Sequence, residues 1–487
     1  MTDSDTEGDK RSTTVWGIAV LVAALGAWIM YDALPGINWL VWTMCASAGL
    51  LVFVRSVLPG TSLVTWLVIF AVVIAGGAAF TADQFLHGLI CLSVIMLLAL
   101  AMLLSVDARV ERLTAVFAIV APVVAFGLAL SESLHRLTAA LHLVRSSRAR
   151  AVLRGLAITA PVLLVFGLLL STADPTFAGW RDAIQDLLAS WAFIPRTIFF
   201  LGLLAVTLGA FGHASRGATH EPYGIAYPVR SSSSEPDRWL GATEHLILMA
   251  SVSLLFWVFL AVQISYLFGN LPSITGSGMT FAEYARRGFA ELSVVASATA
   301  LLIIVAQRYG KTDRRHQLLR GVTLSVIVGV LFLLTSAFHR VSLYEEAYGF
   351  TTARLYAQAY MIIVAISLVA LAREVTAELN VPRLFRTAGV TAILAFIGLI
   401  YWNHESWIAE RNVDLFASTG KLDVVYLTRD LSADAIPTIV SRLPTLPEPA
   451  KSQLSAALAL RYPHPHADRW FEWNLGRTRA RKALGSL

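Results

Sequence analysis

Charged residues stand at the entrance of one long apolar segment, and their spacing suggests ion pairing. Glu283, Arg287 and Glu291 recur at every fourth position, so a helix places one guanidinium between two carboxylates on a single face. Arg286 stands beside them, and Thr280 with Glu283 fits a capping box that would begin the helix. The helix is therefore predicted to begin before the membrane does, with its charges in the part that projects.

Further charged residues lie at the ends of other apolar segments on the same predicted face. An arginine at mid-bilayer costs about 2.5–3.5 kcal/mol, whereas an exposed i,i+4 ion pair contributes only about 0.2–0.5 kcal/mol. The charges must therefore lie at headgroup depth or face other helices. The predicted outer cluster comprises Asp174, Glu283, Arg286, Arg287, Glu291, Arg340, Glu345, Glu346 and Arg354, and His404 with Glu405 reach the same face.

Two interpretations of this outer cluster remain open. In the first, ion pairs lock the outer helix ends and the C-terminal residues together. In the second, the cluster is a vestibule that binds a charged ligand or a lipid headgroup. Structural ion networks often resemble functional sites, which favours the first interpretation.

The sequence offers little evidence for metal or catalytic chemistry. His464, His466 and Asp468 alternate in a proline-containing stretch and could share one side of an extended chain, but a solvated linker is the simpler interpretation, since structural zinc normally needs four ligands. The phosphate-binding loop, the zinc-protease helix and the nucleophile elbow are all missing from the sequence. We predict no metal and no cofactor. The sequence assigns no enzymatic activity, and a membrane enzyme is the third functional hypothesis, since no catalytic constellation stands out.

The composition indicates lipid as the solvent of most of the chain. Of 487 residues, 56% are hydrophobic and only 14% are charged, and the mean hydropathy is +0.66. The predicted fold class is an all-α polytopic membrane protein with eleven or twelve transmembrane helices and a small C-terminal helical domain. The predicted spans begin near Val15, Ile37, Leu63, Leu86, Gly155, Phe193, Leu240, Phe289, Gly321, Thr352 and Thr387.

The twelfth apolar run, Leu113 to Leu130, has two interpretations. Its apolarity alone would qualify it as a span, but a crossing there would put neighbouring basic loops on opposite sides. We favour eleven crossings with the N-terminus inside, and we expect this run to be re-entrant or shallow, broken at Pro122.

Basic loops set the predicted orientation. Four connections rich in Lys and Arg alternate with connections poor in them: residues 135–154, 213–238, 308–320 and 373–386. The positive-inside rule places these four in the cytoplasm. The formal charge of +6 is explained by these loops, so we expect contact with membrane lipid and not with nucleic acid. The predicted location is the cytoplasmic (inner) membrane, and the sequence does not identify protein partners.

The chain divides into four predicted regions. Residues 1–14 form a disordered tail, 15–134 an N-terminal membrane region, 155–403 a membrane core, and 404–487 an extramembrane helical domain on the outer face. In the last region, Ser432 and the stretch PEPAKSQLSAALALRY each mark a helix. We expect Trp407, Trp470 and Trp473 to anchor this domain, because large aromatic side chains bury the most area.

Several stretches in the same order resemble a bacterial membrane-protein family. The chain is similar, from about residue 155 to the end, to proteins with domain of unknown function 4173, relatives of the 4153 group. The resemblance implies the fold and the membrane location but no activity. Asn403-His404 departs from the usual Asn-Pro of such families. The stretches are LLLSTADPTFAGW, FAEYARRGFAEL, LYEEAYGFTTARLY, NHESWIAERNV, GKLDVVYLTRDLSADAIPTIV and WFEWNLGRTRARKAL.

The sequence supports two functional hypotheses. The leading one is a membrane scaffold or signalling partner of unknown biochemical function. The alternative is a transporter or lipid-handling protein whose path runs from the outer cluster into the helical bundle. Transporters often contain internal repeats, and the sequence contains no convincing repeat, which favours the scaffold.

Overall fold

The computed structural model consists mainly of α-helices. It describes residues 3–54, 63–105, 115–140, 159, 193–216, 240–267, 289–310, 316–377, 379–462 and 468–485. The predicted all-α fold is therefore confirmed over the described part of the chain.

The described residues up to 401 form a series of apolar helices. Ten of these helices are long and apolar enough to cross a membrane, and the helix of 15 residues that begins at Leu63 is shorter. The helices are α1 (Asp3–Ile29), α2 (Ile37–Val54), α3 (Leu63–Gly77), α4 (Gln84–Leu104), α5 (Ala115–Ala140), α6 (Phe193–Arg216), α7 (Ala242–Leu267), α8 (Phe289–Tyr309), α9 (His316–Tyr348), α10 (Thr352–Thr376) and α11 (Val381–Tyr401).

The hydropathy pattern located two helix starts at the predicted residues, since α2 begins at Ile37 and α10 at Thr352. Helices α3, α6 and α8 are described from Leu63, Phe193 and Phe289 onward. At the first helix the two differ, because α1 already begins at Asp3 and includes residues 3–14, which were expected to be disordered. Once a helix is nucleated by an apolar segment, adding each further turn is inexpensive even for polar residues. The span predicted near Gly155 lies outside the described residues, apart from the single residue 159.

The disputed segment forms one continuous helix. Helix α5 passes through Pro122 without a break, so the break predicted there is wrong. Proline removes only one backbone hydrogen bond, and membrane helices tolerate it where neighbouring groups compensate. By length and composition, Ile119–Leu137 qualifies as a span.

Side-chain contacts locate the C-terminal end of α5. Arg136 donates hydrogen bonds from Nη2 to the carbonyl of Gly212 at 3.2 Å and to Ser215 Oγ at 3.0 Å. Phe211, in the same turns of α6, contacts Phe53 near the end of α2, with 6.0 Å between ring centroids. The end of α5 therefore lies on the membrane face where α2 ends.

Two apolar cores hold the bundle together. The first contains side chains of α1 to α6 and also of α11, the last apolar helix. The second contains side chains of α7 to α10, with Leu384 of α11 at its edge. Because α6 and α11 pack with the N-terminal helices, the cores do not follow the sequence division at residue 155.

Close packing joins α3 to α11. A Cβ atom at Gly77 would lie 2.1 Å from Ile400 Cγ2, so only glycine lets the two helices approach this closely. One residue further on, the hydroxyl of Tyr401 donates to the carbonyl of Val73 at 2.7 Å. These contacts fix the end of α11, from which the C-terminal residues continue.

The C-terminal residues cover one end of the bundle. We call the described residues 404–485 the cap, the end of the bundle that they cover the cap face, and the other end the opposite face. The cap contacts three connections of the bundle. At the α1–α2 connection Ile37 N donates to Trp473 O at 3.0 Å, and at the α3–α4 connection Leu475 N donates to Ala79 O at 2.7 Å. At the α9–α10 connection Phe350 N donates to Asn412 Oδ1 at 2.8 Å.

The cap is helical with its own apolar core, as predicted. It contains α12 (His404–Thr419), α13 (Ile436–Arg442), α14 (Ala450–Arg461) and α15 (Leu475–Leu484), joined by single helical turns. Its core includes residues of α12, α13 and α14 together with Phe350 and Leu355 from the bundle. Ser432 Oγ accepts a hydrogen bond from Asp434 N at 3.2 Å, which confirms the predicted helix start.

The expected tryptophan anchors are only partly correct. Trp470 is 60% exposed and Trp473 is 40% exposed, although Trp470 packs edge-on against Trp28 of α1. Phe471 between them is buried instead. The short helical turn at residues 470–472 directs Phe471 and Glu472 inward and Trp470 outward.

Candidate functional site

The predicted outer cluster is only partly contained in the described residues. Glu291 and Glu346 are exposed, Arg340 and Glu345 are buried, and Arg354 is half-buried. The expectation that the cluster lies at headgroup depth or faces other helices stays a prediction. The predicted members Asp174, Glu283, Arg286 and Arg287 lie outside the described residues, so the proposed pairing of Arg287 with Glu283 and Glu291 stays a prediction.

Within this group, the contacts are mainly to neutral groups. Glu345 Oε2 accepts a hydrogen bond from the amide of Gln358 at 2.8 Å. Arg354 donates from Nη1 to the carbonyl of Gly349 and lies over the ring of Tyr344, 4.2 Å from its centroid. Arg354 thus fixes the turn between α9 and α10.

A second polar cluster joins the cap to the bundle. Asp434, just after the cap turn at Ser432, accepts a hydrogen bond on Oδ2 from Thr81 Oγ1 at 2.8 Å and another from Ala82 N at 2.7 Å. Thr81 and Ala82 belong to the α3–α4 connection. Asn403 Nδ2 also donates to the carbonyl of Asp434 at 3.2 Å. Asp434 therefore connects its own cap turn to the α3–α4 connection through its carboxylate and to the linker at Asn403 through its backbone carbonyl.

Asn474 holds the same connection from the other side. Its side chain is 0% exposed, and its Nδ2 donates to the carbonyls of Ala78 at 2.9 Å and Thr81 at 2.6 Å. Its Oδ1 accepts from Arg477 N at 2.9 Å and so caps α15. A single buried amide therefore begins a cap helix and satisfies two loop carbonyls of the bundle.

The start of α12 contributes two further titratable groups. Glu405 Oε2 accepts hydrogen bonds from the backbone N of Ser432, at 2.9 Å, and from its hydroxyl. His404 Nε2 lies 3.0 Å from the hydroxyl of Tyr356 on α10. That hydroxyl donates to Asp83 Oδ2 at 2.8 Å, immediately before α4. We call Asp83, Tyr356, His404, Glu405 and Asp434 the interface cluster.

The tyrosine hydroxyl of the interface cluster lies between an acid and a base. His404 Nδ1 faces the carbonyl of Trp402 at 3.3 Å, which favours a hydrogen on Nδ1. Two arrangements are then possible. In the first, His404 is an imidazolium whose Nε2 donates to Tyr356, and Tyr356 donates to ionised Asp83. In the second, Tyr356 donates to Nε2 of neutral His404, and protonated Asp83 donates to Tyr356. The same positions of the heavy atoms suit both arrangements, so one proton can reside on either side of the phenol.

Burial sets the ionisation of the acids in the interface cluster. The pKa of Glu405 is raised from 4.5 to about 8, chiefly by burial, and the charges of Asp83 and Asp434 act in the same direction. Burial also raises the pKa of Asp434 and lowers that of His404. Desolvation disfavours a charged form, so burial favours the neutral forms of Glu405, Asp434 and His404.

A separate ion pair fastens the cap to the α1–α2 connection. Glu472 accepts from Leu34 N at 3.0 Å and from Arg469 Nη2 at 2.6 Å. The hydrogen bond from Arg469 is the main cause that lowers the pKa of Glu472 to about 2. Arg477 Nη1 donates to the carbonyl of Pro35 at 3.0 Å and secures the same connection.

The histidine-containing stretch of the cap does not gain support as a metal site. His464 and His466 lie outside the described residues. Asp468, the third predicted ligand, faces Arg477 at 3.3 Å and Arg481 at 3.0 Å. Over the part of the chain that the structure describes, no group of three or more His, Cys, Asp or Glu side chains could hold a metal ion.

Sequence reasoning found two of the five residues of the interface cluster. His404 and Glu405 were assigned to the correct face, but Asp83, Tyr356 and Asp434 were not selected. Asp83 accepts from Phe85 N at 2.8 Å, so its position before α4 is that of an ordinary helix cap. Its second role, as the acceptor of the hydrogen bond from Tyr356, depends on a residue more than 270 positions away and is visible only in the structure.

The fold is that of a multi-pass α-helical membrane protein with a helical cap docked on one end of the bundle. The family model named "Domain of unknown function (DUF4153)" matches residues 68–441. The chain belongs to this family. No curated protein and no solved structure matches the chain.

Proposed function

We propose that the protein is a scaffold of the cytoplasmic membrane with a signalling role, in which attachment of the cap responds to protonation at the outer face. The observation that carries this proposal is the interface cluster, where Glu405 and Asp434 are buried between cap and bundle. Asp434 accepts hydrogen bonds from Thr81 and Ala82 of the bundle, whereas Glu405 accepts from Ser432 within the cap and is influenced by the charge of Asp83 of the bundle. A change in their charge acts directly on the junction between the two parts.

The orientation follows from arginines on the opposite face. Arg308 ends α8 and Arg320 lies in the first turns of α9, while Arg373, Arg383 and Arg386 lie at the α10–α11 junction. All five flank connections on the face away from the cap. The positive-inside rule assigns that face to the cytoplasm and the cap to the outside. The resemblance to the narrower 4173 group supports a bacterial inner membrane as the location.

The sign of the pH response follows from the direction of each pKa shift. Docked Glu405 holds its proton up to about pH 8, whereas an exposed glutamate loses it near 4.5. Attachment therefore weakens as the pH rises between these values, and Asp434 acts in the same sense. His404, with its lowered pKa, opposes attachment as the pH falls below 6.5. Attachment is strongest at mildly acidic pH.

The expected size of this response is large enough to measure. One pKa unit corresponds to about 1.4 kcal/mol, so the Glu405 shift amounts to roughly 3–6 kcal/mol. The charges of Asp83 and Asp434 act on Glu405. The charge of Glu405 in turn acts on the hydroxyls of Tyr356, Tyr426 and Tyr462. None of them is a cation that would hold Glu405 ionised.

Hydrogen exchange of the full-length protein in neutral-lipid nanodiscs tests the proposal between pH 5 and 8.5. After correction for intrinsic rates, the amide of Leu475, which donates to Ala79 O across the junction, should lose protection as the pH rises. Glu405→Gln should remove most of that dependence. Glu410→Gln, on the exposed side of the same helix, is the matched control and should keep it. Equal protection of the wild-type cap over the whole range would refute the proposal.

A further inference from the structure

A cleft opens between the cap and the α9–α10 turn, away from the interface cluster. Its volume is about 800 Å³, within the range of about 300–1,000 Å³ typical of ligand sites. One wall is the turn after α9, and the other consists of the residues that follow α12. The polar and aromatic side chains that line it include Tyr348, Arg354, Asn412, Lys421, Asp423 and Gln453.

The charges of the cleft favour an anion. Among the described residues, neither Arg354 nor Lys421 forms an ion pair with a carboxylate. The single acid, Asp423, accepts a hydrogen bond from Tyr426 N at 2.9 Å and thereby caps the following turn. Two cations therefore face the cleft against one acid, and that acid is already engaged.

The cleft lies at the cap-face end of α9, beside side chains of a kind found at the membrane boundary. The candidate span of α9 ends at Tyr348, which lines the cleft. Tyr344 and Tyr348 stack with 4.9 Å between centroids, and such aromatic side chains are typical of the membrane boundary. Tyr348 is 56% exposed and Val425 is 58% exposed, so an apolar rim faces outward beside the two cations.

We propose that this cleft binds the phosphate group of an anionic membrane lipid. Arg354 uses Nη1 for the carbonyl of Gly349 and retains other N–H donors of its planar fork for phosphate oxygens. Lys421 supplies a second, mobile positive charge. Tyr348 and Val425 contact the start of the acyl chains. The site lies apart from the interface cluster, and since its two walls belong to the cap and to the α9–α10 turn, it requires the docked cap.

A lipid is favoured over a soluble phosphate ester because the rim of the cleft is apolar. A soluble ester would gain nothing from Tyr348 and Val425, whereas a lipid buries apolar area against both. The phosphate chemistry is common to both sources, so the test includes both. We expect the cleft to prefer an anionic lipid over a zwitterionic one, because Arg354 and Lys421 line it and neither forms an ion pair with a carboxylate.

Native mass spectrometry of the purified full chain in neutral detergent provides the test. The probes are dihexanoyl-phosphatidylglycerol, dihexanoyl-phosphatidylcholine and glycerol 1-phosphate. The wild type should retain one phosphatidylglycerol most strongly. Lys421→Gln should weaken this binding about tenfold or more, since loss of a charged contact of about 1.4 kcal/mol is one decade. Lys451→Gln changes an exposed lysine elsewhere on the cap and should leave binding unchanged.

The outcomes separate clearly. Lys421 is exposed, so Lys421→Gln should keep the thermal midpoint of the lipid-free protein. Equal retention of both lipids by the wild type, or equal phosphatidylglycerol binding by Lys421→Gln and Lys451→Gln, would overturn the proposal. Binding of glycerol 1-phosphate as strong as that of phosphatidylglycerol would overturn the assignment to a lipid.

Discussion

Asp434 Oδ2 accepts a hydrogen bond of 2.8 Å from Thr81 Oγ1, although 353 residues separate the two along the chain. Both side chains are buried. The contact shows that the cap and the bundle share a polar interior and are not joined only through the linker at Asn403. The buried polar groups at this junction are satisfied by one another, which makes the attachment sensitive to small chemical changes.

Asn474 tests that sensitivity without any change of size. Asn474→Asp replaces the amide that donates to Ala78 O and Thr81 O with a carboxylate oxygen. Two carbonyls then face an acceptor, and we expect a loss of roughly 3 kcal/mol or more in unfolding free energy. Asn474→Ala should cost less, about 1–3 kcal/mol, because it introduces no repulsion. Chemical unfolding in detergent measures both, and the reverse order would contradict the assigned contacts.

Glu472 should give a pH dependence of the opposite sign to that of Glu405. Its pKa is lowered from 4.5 to about 2 in the docked cap, so its contribution is present above pH 4.5 and is lost as the pH falls toward 2. At pH 7, Glu472→Gln should lower the thermal midpoint, and the difference from the wild type should shrink between pH 6 and pH 3. A difference that stays constant over that range would show that the Arg469 pair does not determine the shift.

Much of this architecture could be predicted because local patterns determine it. Helix starts at Ile37 and Thr352 follow from the beginning of apolar runs. Ser432 was predicted as a helix start because a cap depends on neighbours only a few residues away. Two features were not predicted. Residues 3–14 were expected to be disordered because they are polar, yet they continue the adjacent helix. The helix at Pro122 was expected to break because of the proline, yet it is continuous.

The interface cluster could not be predicted in full, because it depends on long-range pairing. Tyr356 looks like a boundary aromatic residue in the sequence, yet its hydroxyl contacts Asp83 and His404. Nothing in the residues around Asp434 indicates that the α3–α4 connection will lie against it. Sequence reasoning can assign such residues to a membrane face, but it cannot pair them across that face.

Helix packing provides a prediction with a built-in control. Gly77→Ala should destabilise the protein by about 1–3 kcal/mol, because the new methyl group would overlap Ile400 of α11. Gly88, in α4, has open space around it, so Gly88→Ala should be neutral or stabilising by up to about 1 kcal/mol. Unfolding followed by tryptophan fluorescence distinguishes the two. Equal effects would argue against the close approach of α3 and α11.

The orientation can be measured in intact cells with single cysteines. In a background with Cys45→Ser and Cys91→Ser, Thr445→Cys on the exposed cap should react with an impermeant thiol reagent. Thr376→Cys, exposed at the opposite face, should react only after the membrane is opened. The reverse labelling pattern would place the cap in the cytoplasm and overturn the outer assignment.

The central claim, that buried polar contacts hold the cap on the bundle, is tested most directly by a double-mutant cycle between Thr81 and Asp434. Thr81→Val, Asp434→Ala and the double variant should be unfolded with denaturant at pH 6 in one detergent, with wild type as reference. Residues in direct contact show coupling of about 0.5–3 kcal/mol, and we expect at least about 1 kcal/mol here. Losses that add within about 0.3–0.5 kcal/mol would show that the two side chains do not interact, and would contradict the docked cap.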